Sequence, residues 1–359
     1  MSILVTGGAG YIGSHTVRRL HESGEKVVVL DNLSTGHLQS LPDEVPFVVA
    51  DLRSRKRTIE ILSELRPEAV FHLAASCSVS ESVYDPEKYR VQNVVATQNL
   101  LDAMALAGTR QIVFSSTAAV YGEPEGEILS ESARLNPVNP YGQSKLACEE
   151  LLAEHYRLHA TRSISLRFFN AAGAHESGEI GEDHDPETHL IPITLKTVLG
   201  FGDVVRIFGT NYPTRDGTCV RDYVHVDDLA EAHALGLKAL REGRVQVAAY
   251  NLGNQNGHTV REVIETVANV TGRNLNVQMD PPRNGDPAFL VASSSLAERE
   301  LQWRPRYAEL AQIVKSAWRW HRRYPLGYLG RAFRSPSSLA AYRPGSRLSA
   351  SQSMALVSR

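Results

Sequence analysis

The start of this chain limits its fold more than any other segment. A short β-branched run, Ile3–Thr6, passes directly into Gly7-Gly8-Ala9-Gly10-Tyr11-Ile12-Gly13, and an apolar-periodic stretch follows. Glycines at this spacing between a strand and a helix allow a tight turn and let a pyrophosphate approach the amide groups at the helix N-terminus. The second β-branched run ends at Asp31, 18 residues after Gly13, where a carboxylate can accept hydrogen bonds from the ribose hydroxyls of an adenosine. That charge repels a 2′-phosphate, and Asn32 beside it brings no cation, so the expected cofactor is NAD rather than NADP. A Gly-rich turn alone is a weak signal; the strand, helix and acid around it give it weight.

The alternation continues along the chain. Strands are expected at Ile3–Thr6, Lys26–Leu30, Phe47–Val49, Ala69–Leu73, Gln111–Ser115 and Ser163–Arg167, with helices between them. This is the pattern of βαβ units feeding a mostly parallel sheet. Glu87–Ala107 and Tyr141–His159 carry apolar residues at three and four spacing, and the first closes at Gly108, a natural C-terminal cap. After Phe169 the pattern loosens into loops from Ala171 to Pro192. A helix over Asp227–Leu240 and a strand over Ala249–Leu252 then return to the first unit. We therefore expect an α/β protein with one domain over 1–170 plus about 219–254 and a smaller, interleaved one over about 171–218 plus 255–325. Residues 326–359, rich in Ser, Arg, Pro and Ala without apolar period, are expected to form a flexible tail.

Charge and cysteine content narrow the class. The 38 basic and 40 acidic residues among 359 leave a net charge of −2, too little to draw in nucleic acid or an anionic membrane. No apolar run is long enough to span a bilayer, and the first strand follows Met1 too closely for a signal segment. Cys77, Cys148 and Cys219 have no CxxC spacing, so neither a disulfide framework nor a zinc cage is indicated. His175, Asp183 and His184 share a polar loop at irregular spacing, and no metal site is expected. A cytoplasmic protein without nucleic-acid or membrane partners fits best.

The residues that can carry chemistry lie at strand ends. Tyr141 and Lys145, four apart at the start of a helix, project from one face. A nearby ammonium and a cationic nicotinamide ring would both favour the phenolate of a tyrosine whose ordinary pKa is about 10. Thr117 follows the fifth strand, at the edge where open α/β sheets bind ligands, and can share a hydrogen bond with a substrate hydroxyl and Tyr141. Asp51 and Leu52 follow the third strand within reach of an adenine, and Leu73, Ala74 and Ala75 are small enough to lie along a cofactor. Taken singly, each of these is more often a loop acid, a packing residue or a surface helix face; together with the glycine turn they gain weight.

Longer shared stretches carry a family resemblance. Leu4–His15, Leu30–Leu33, Val120–Gly122, Pro140–Lys145 and Gly217–Val226 resemble the extended short-chain dehydrogenases/reductases and, within them, the UDP-glucose 4-epimerases, over Ile3 to about Tyr324. The resemblance implies a Rossmann-type doubly wound, mostly parallel sheet with a smaller interleaved substrate-binding domain. It implies bound NAD and interconversion of UDP-galactose and UDP-glucose, in galactose metabolism, through a 4-keto sugar. Tyr141, Lys145 and Thr117 would be catalytic. Gly7, Gly10, Tyr11, Ile12, Gly13, Asp31, Asn32, Asp51, Leu52, Leu73, Ala74, Ala75, Asn93 and Phe169, with Tyr141 and Lys145, would hold NAD. Thr117, Asn170, His189, Leu190, Phe208, Arg221, Arg283 and Asp286 would hold the sugar nucleotide. Relatives also form homodimers through helices matching Glu87–Ala107 and Tyr141–His159, and a homodimer is expected.

Some positions depart from the family pattern. Cys77 stands where many relatives carry a lysine at the cofactor, Thr117 replaces a commoner serine, and His189 replaces a frequent asparagine. Leu290 occupies a position where bulk limits N-acetylated sugars, and its intermediate size leaves UDP-N-acetylhexosamines open. A nucleotide-sugar 4,6-dehydratase is the nearest alternative, but the acids it needs after the strand-end Thr are absent from Thr117-Ala118-Ala119-Val120. A UDP-glucuronate decarboxylase is disfavoured by its missing Glu in the same stretch. A non-catalytic NAD-sensing regulator would have no need of Thr117, Tyr141 and Lys145 together.

Overall fold

The computed structural model describes residues 2–124, 128–283 and 286–330. Strands lie at Ile3–Thr6 (β1), Val27–Asp31 (β2), Phe47–Val49 (β3), Ala69–His72 (β4), Gln111–Thr117 (β5), Arg162–Phe168 (β6), Asn170–Ala172 (β7), Val205–Phe208 (β8), Val220–His225 (β9), Val247–Leu252 (β10), Gly257–Thr259 (β11), Val277–Asp280 (β12) and Phe289–Leu290 (β13). Seven of them form one sheet in the order β10-β6-β5-β4-β1-β2-β3. Every pairing in it is parallel.

Both faces of this sheet are covered, which explains why its strands read as continuous β-branched runs rather than as polar alternation. Successive side chains go to opposite faces. Ile3, Val5, Val27, Val29, Ala69 and Phe71 share one core with Val17, Leu20, Leu229 and Leu237 from helices Tyr11–Glu22 and Val226–Arg241. Leu4, Val28, Leu30, Val70 and Phe114 share the other with Ile61, Leu62, Leu100 and Met104 from helices Arg55–Leu65 and Ala96–Ala107. Phe71 is fully buried, and cutting it to alanine would cost about 3–5 kcal/mol in lost contacts and cavity. The chain runs β1 to β3 in one direction, then crosses back to place β4 on the other side of β1. The order reverses there, and the carboxyl ends of β1 and β4 open a crevice where this architecture binds ligands.

A smaller unit sits beyond those carboxyl ends. Its sheet centres on β9, which pairs with β7 and β13 in parallel and with β11 antiparallel. A parallel pair, β8 and β12, lies beside it. Helices Leu190–Val198, Val260–Thr271 and Leu310–Arg323 contribute Ile191, Leu195, Val263, Val267, Ile313 and Val314 to a separate core with Tyr223.

Several boundaries differ from the sequence reading. The return to the main sheet, expected from about residue 219, begins at helix Val226–Arg241, because β9 pairs only in the smaller sheet. Helix Ser295–Leu301 and Trp303 fall in a stretch expected to belong to the smaller unit, yet Ala297, Leu301 and Trp303 pack into the main core. The Trp303 indole also donates to the Asp228 carbonyl at 2.8 Å. The helix expected over Glu87–Ala107 is interrupted: Pro86–Tyr89 leads into a π-helical turn at Arg90–Val95 before Ala96–Ala107 resumes and stops at Gly108, at φ 78°. The first residues of the expected tail are anchored, since Gly327–Gly330 forms a 3₁₀ turn and Tyr328 is buried against Trp320. The rest of that segment, 331–359, lies outside the described residues. No helix among the described residues is long and apolar enough to cross a membrane.

Candidate active site

The glycine-rich turn links β1 to helix Tyr11–Glu22, with Gly10 as its N-cap. Its glycines do different jobs. Gly7 sits at φ 72°, and a Cβ there would run into the backbone of Leu73 and Ala74. At Gly13 a Cβ would collide with the Gly7 carbonyl. These two are therefore required by packing within the protein. A Cβ at Gly10 would meet only the Gly7 carbonyl oxygen, at 3.4 Å, so the helix N-terminus there stays open to an anion. A cradle of this shape, next to an acid at the end of β2, fits a dinucleotide.

Asp31 closes that acid position from inside. Its Oδ2 accepts from the Ala9 amide at 3.0 Å and its Oδ1 from the Leu33 amide at 2.8 Å. Burial raises its pKa, and these amides offset only part of the rise. Asn32 donates to Asp51 at 3.1 Å, and Asp51 is paired with Arg53 at 2.7 Å. Hydrogen bonding from Arg53 holds the Asp51 carboxyl at about 2. Arg53, which sequence reasoning did not single out, thus neutralises an acid expected at the adenine. Leu52 is buried beside it, and its carbonyl accepts from Asn99 at 2.9 Å.

Asn93 falls in the π-helical turn, where its side chain is buried. It accepts from the Ser76 amide at 2.8 Å and donates to the Ser76 carbonyl at 3.0 Å and to Ser144 Oγ at 2.9 Å. Ser144 in turn donates to the Tyr141 carbonyl at 2.8 Å. The loop that carries Leu73, Ala74 and Ala75 is thereby tied to the helix that carries Tyr141. π-Turns of this kind recur at functional sites because the inserted residue re-aims a side chain. Ser144 was not singled out from sequence; its place three residues after Tyr141, on the inner helix face, was the available signal.

Helix Pro140–His159 starts cleanly because Asn139 caps it, accepting from the Gly142 amide at 2.9 Å, with Pro140 at the first turn. Tyr141 and Lys145 then point to the end of β5. The Thr117 hydroxyl accepts from the Ala119 amide at 3.2 Å and acts to lower the pKa of the Tyr141 phenol. Lys145 donates to the Ser115 carbonyl at 2.8 Å and lies 4.7 Å from the centre of the Phe114 ring. The expected acidifying effect on Tyr141 is not built into the protein alone. Burial pushes the phenol well above 10, Cys77 raises it further, and the Thr117 hydroxyl offsets only part of this. Burial also lowers Lys145.

The residues expected at the sugar nucleotide fall into groups. Arg221 is ion-paired with Asp286 and donates to the Pro287 carbonyl at 2.8 Å. The Arg283 guanidinium lies 3.9 Å from the centre of the Phe208 ring. Asn170 begins β7, directly after the buried Phe169, which shares a cluster with Ala118 and Leu290. Leu290 also stands opposite Arg221 in the β13–β9 pairing. His189 immediately precedes helix Leu190–Val198, with Nδ1 2.8 Å from Glu182 and 3.0 Å from Glu187. Burial would lower His189, but the two acids overcome it and raise its pKa well above the usual value. Neither acid was singled out from sequence, because nothing in their spacing reports the loop's curl. Tyr11 reaches across from the glycine turn, donating to the Gly173 carbonyl at 2.7 Å.

A model of the NAD dependent epimerase/dehydratase family matches residues 3–253. The chain belongs to that family. Among curated relatives of this family member, the UDP-glucose 4-epimerase of Halalkalibacterium halodurans is 48% identical over 91% of this chain and 98% of its own. A crystal structure of UDP-glucose 4-epimerase from Brucella ovis in complex with NAD superposes with a TM-score of 0.85 at 44% identity, over 88% of this chain and 97% of that one. The UDP-glucose-4-epimerase of Stenotrophomonas maltophila with bound NAD and formylated UDP-arabinopyranose gives 0.87 at 39% identity, over 90% and 99%. NAD is the cofactor of this family.

Proposed function

We propose that this chain is a UDP-glucose 4-epimerase, interconverting UDP-galactose and UDP-glucose. The observation that carries the reading is the placement of Tyr141 and Lys145, on helix Pro140–His159, at the carboxyl end of β5 where Thr117 stands, with Lys145 donating to the Ser115 carbonyl at 2.8 Å, beside the glycine cradle that suits NAD. When bound, NAD supplies reversible hydride acceptance and a positive ring. Gly10 and the helix N-terminus receive the pyrophosphate, Asp31 the adenosine ribose, and Asn93 fixes the loop beneath the cofactor. Tyr141 takes the proton of the sugar 4-hydroxyl, Thr117 relays it, and Lys145 orients the Tyr141 helix through Ser115 while binding ribose hydroxyls. The 4-keto sugar then presents its other face, and Tyr141 returns the proton. Arg221 and Arg283 bind the diphosphate, Asp286 the uridine ribose, Phe208 and Leu190 the base, and Asn170 and His189 the sugar nucleotide.

The 3₁₀ turn Ala118–Tyr121 directly after Thr117 offers no carboxylate for a dehydration. Incubating purified protein with UDP-galactose and following the anomeric NMR signals tests the reading: UDP-glucose should appear at equilibrium, whereas a 6-deoxy-4-keto product would favour a dehydratase and no turnover with added NAD a sensor. N-acetylated substrates in the same panel report whether Leu290 admits them.

The working form is a homodimer in the cytoplasm, joined through helices Ala96–Ala107 and Pro140–His159. Exposed Leu106 and Leu158 on these helices support it. Sedimentation at a single-chain mass would remove it.

A further inference from the structure

The loop before helix Leu190–Val198 brings together a side-chain cluster of which only His189 has a part in the reaction above. Glu182, His184, Glu187 and His189 each offer one ligand atom, and these atoms lie within 4.8 Å of one another. His189 Nδ1 is 2.8 Å from Glu182 Oε1 and 3.0 Å from Glu187 Oε1. His184 Nδ1 is 3.3 Å from Glu182 Oε1 and 3.9 Å from Glu187 Oε2.

Ligand atoms bound at about 2.0–2.2 Å around one ion are separated by roughly 3.0–3.6 Å. The spacings here, 2.8–3.9 Å among the four pairs above, bracket that range, and a shift of about 1 Å in the widest pairs would close a shell. Hydrogen bonding accounts for them only in part. Glu182 is 3% exposed, and its Oε1, together with His184 Nδ1 and Glu187 Oε2, is buried without an aligned hydrogen-bond partner among the described residues. Buried carboxylate oxygens left in that condition are costly unless a cation takes up their lone pairs.

We propose that Glu182, His184, Glu187 and His189 bind one divalent transition-metal ion of the zinc class. Two imidazoles and two carboxylates form a four-ligand N/O set that zinc accepts, and the two negative charges balance the ion. The sequence pattern Glu-x-His-x-x-Glu-x-His places all four in one short loop; it escapes a search for paired ligand motifs because only the curl of the backbone makes the atoms converge. The ion replaces the proton that His189 otherwise holds between the acids. Ligation through Nδ1 fixes the remaining proton of His189 on Nε2, which gives that residue a defined donor. It also pins the N-terminus of helix Leu190–Val198. The site rests on the loop geometry and stands or falls separately from the proposed epimerisation.

The test uses full-length protein stripped with a chelator and then dialysed against zinc chloride, with cobalt as a spectroscopic substitute. About one zinc per chain should bind, and cobalt should give the visible bands of a four-coordinate N/O site without sulfur-to-metal charge transfer, which separates it from Cys77, Cys148 and Cys219. Glu187→Gln and His184→Asn, checked for folding by circular dichroism, should each lose about 100-fold or more in affinity, the scale that changes around a metal site reach. Wild-type protein that takes up no stoichiometric zinc overturns the proposal. So does zinc that binds equally to both variants, which would be an adventitious ion only.

Discussion

Lys145 Nζ donates to the carbonyl oxygen of Ser115 at 2.8 Å, tying the helix that carries Tyr141 to the strand that ends in Thr117. One of the three ammonium hydrogens is therefore used to fix geometry, while burial keeps the phenol protonated in the protein alone. An acid whose folded pKa is raised stays neutral up to that pKa, so ionisation of Tyr141 at neutral pH needs positive charge delivered with the cofactor. The ultraviolet difference between NAD-free wild type and Tyr141→Phe should show no phenolate below pH 10, the ordinary pKa of a tyrosine. A phenolate signal from this residue at pH 8, roughly two units below that value, would contradict the account.

Replacing Tyr141 by Phe should lower turnover by ~10²–10⁴-fold, the range for loss of a positioned acid–base group, with little change in UDP affinity. Wild-type rates in the variant would mean that another group handles the proton.

Gly13→Ala places a methyl group against the Gly7 carbonyl, and Gly7→Ala combines a clash with a φ of 72°. Each should cost more than about 1 kcal/mol of stability and strip NAD from the purified protein. Gly10→Ala, which meets only an ordinary contact within the protein, should keep its melting temperature yet bind NAD less tightly. Melting curves together with the NAD released on denaturation separate the two classes.

Asn93→Ala leaves the Ser76 amide and carbonyl without their side-chain partners. A loss of about 1 kcal/mol is expected from the unpaired, part-buried groups, with weaker NAD binding because the loop after β4 loosens. Denaturant unfolding and NAD titration on the same preparation provide the check; unchanged values in both would remove Asn93 from its assigned place.

Two histidines under the sheet edge predict the acid limb of stability. His72 is bonded to Thr6 and Thr97 at 2.8 and 2.9 Å, and burial lowers it to about 3; His233, between Ser115 and the Leu229 carbonyl, is lowered to about 4. Below the ordinary histidine pKa of 6.5 the unfolded chain takes up protons that the folded one refuses. Stability is therefore complete above that pH and lost as pH falls toward 4, by up to about 1.4 kcal/mol per unit for each residue. His233→Gln should flatten the fall in unfolding free energy between pH 7 and pH 5, about the upper part of that range. An unaltered slope would show that His233 is not the group responsible.

The strands of the main sheet were legible because both faces are buried, so each became a compact β-branched run: β1 and β3 match their expected bounds, and β2, β4, β5, β6 and β10 differ only at their ends. The glycine turn, Asp31 and the Tyr141–Lys145 spacing were legible for a related reason, since their geometry is set by neighbours a few residues away. The break in the helix over Glu87–Ala107 was not, because Asn93 is drawn out of register by Ser76 and Ser144, residues distant in sequence.

Local sequence thus determined the order of strands and helices, the glycine-rich turn after β1 and the residue types at each strand end. Tertiary structure alone decided that β9 leaves the main sheet, that Trp303 returns to its core, that Lys145 reaches the Ser115 carbonyl, and that Glu182 and Glu187 close around His184 and His189. The division has one physical cause: backbone periodicity and turn chemistry act over a few residues, whereas pairing, burial and pKa depend on groups that only the folded chain brings within a few ångströms.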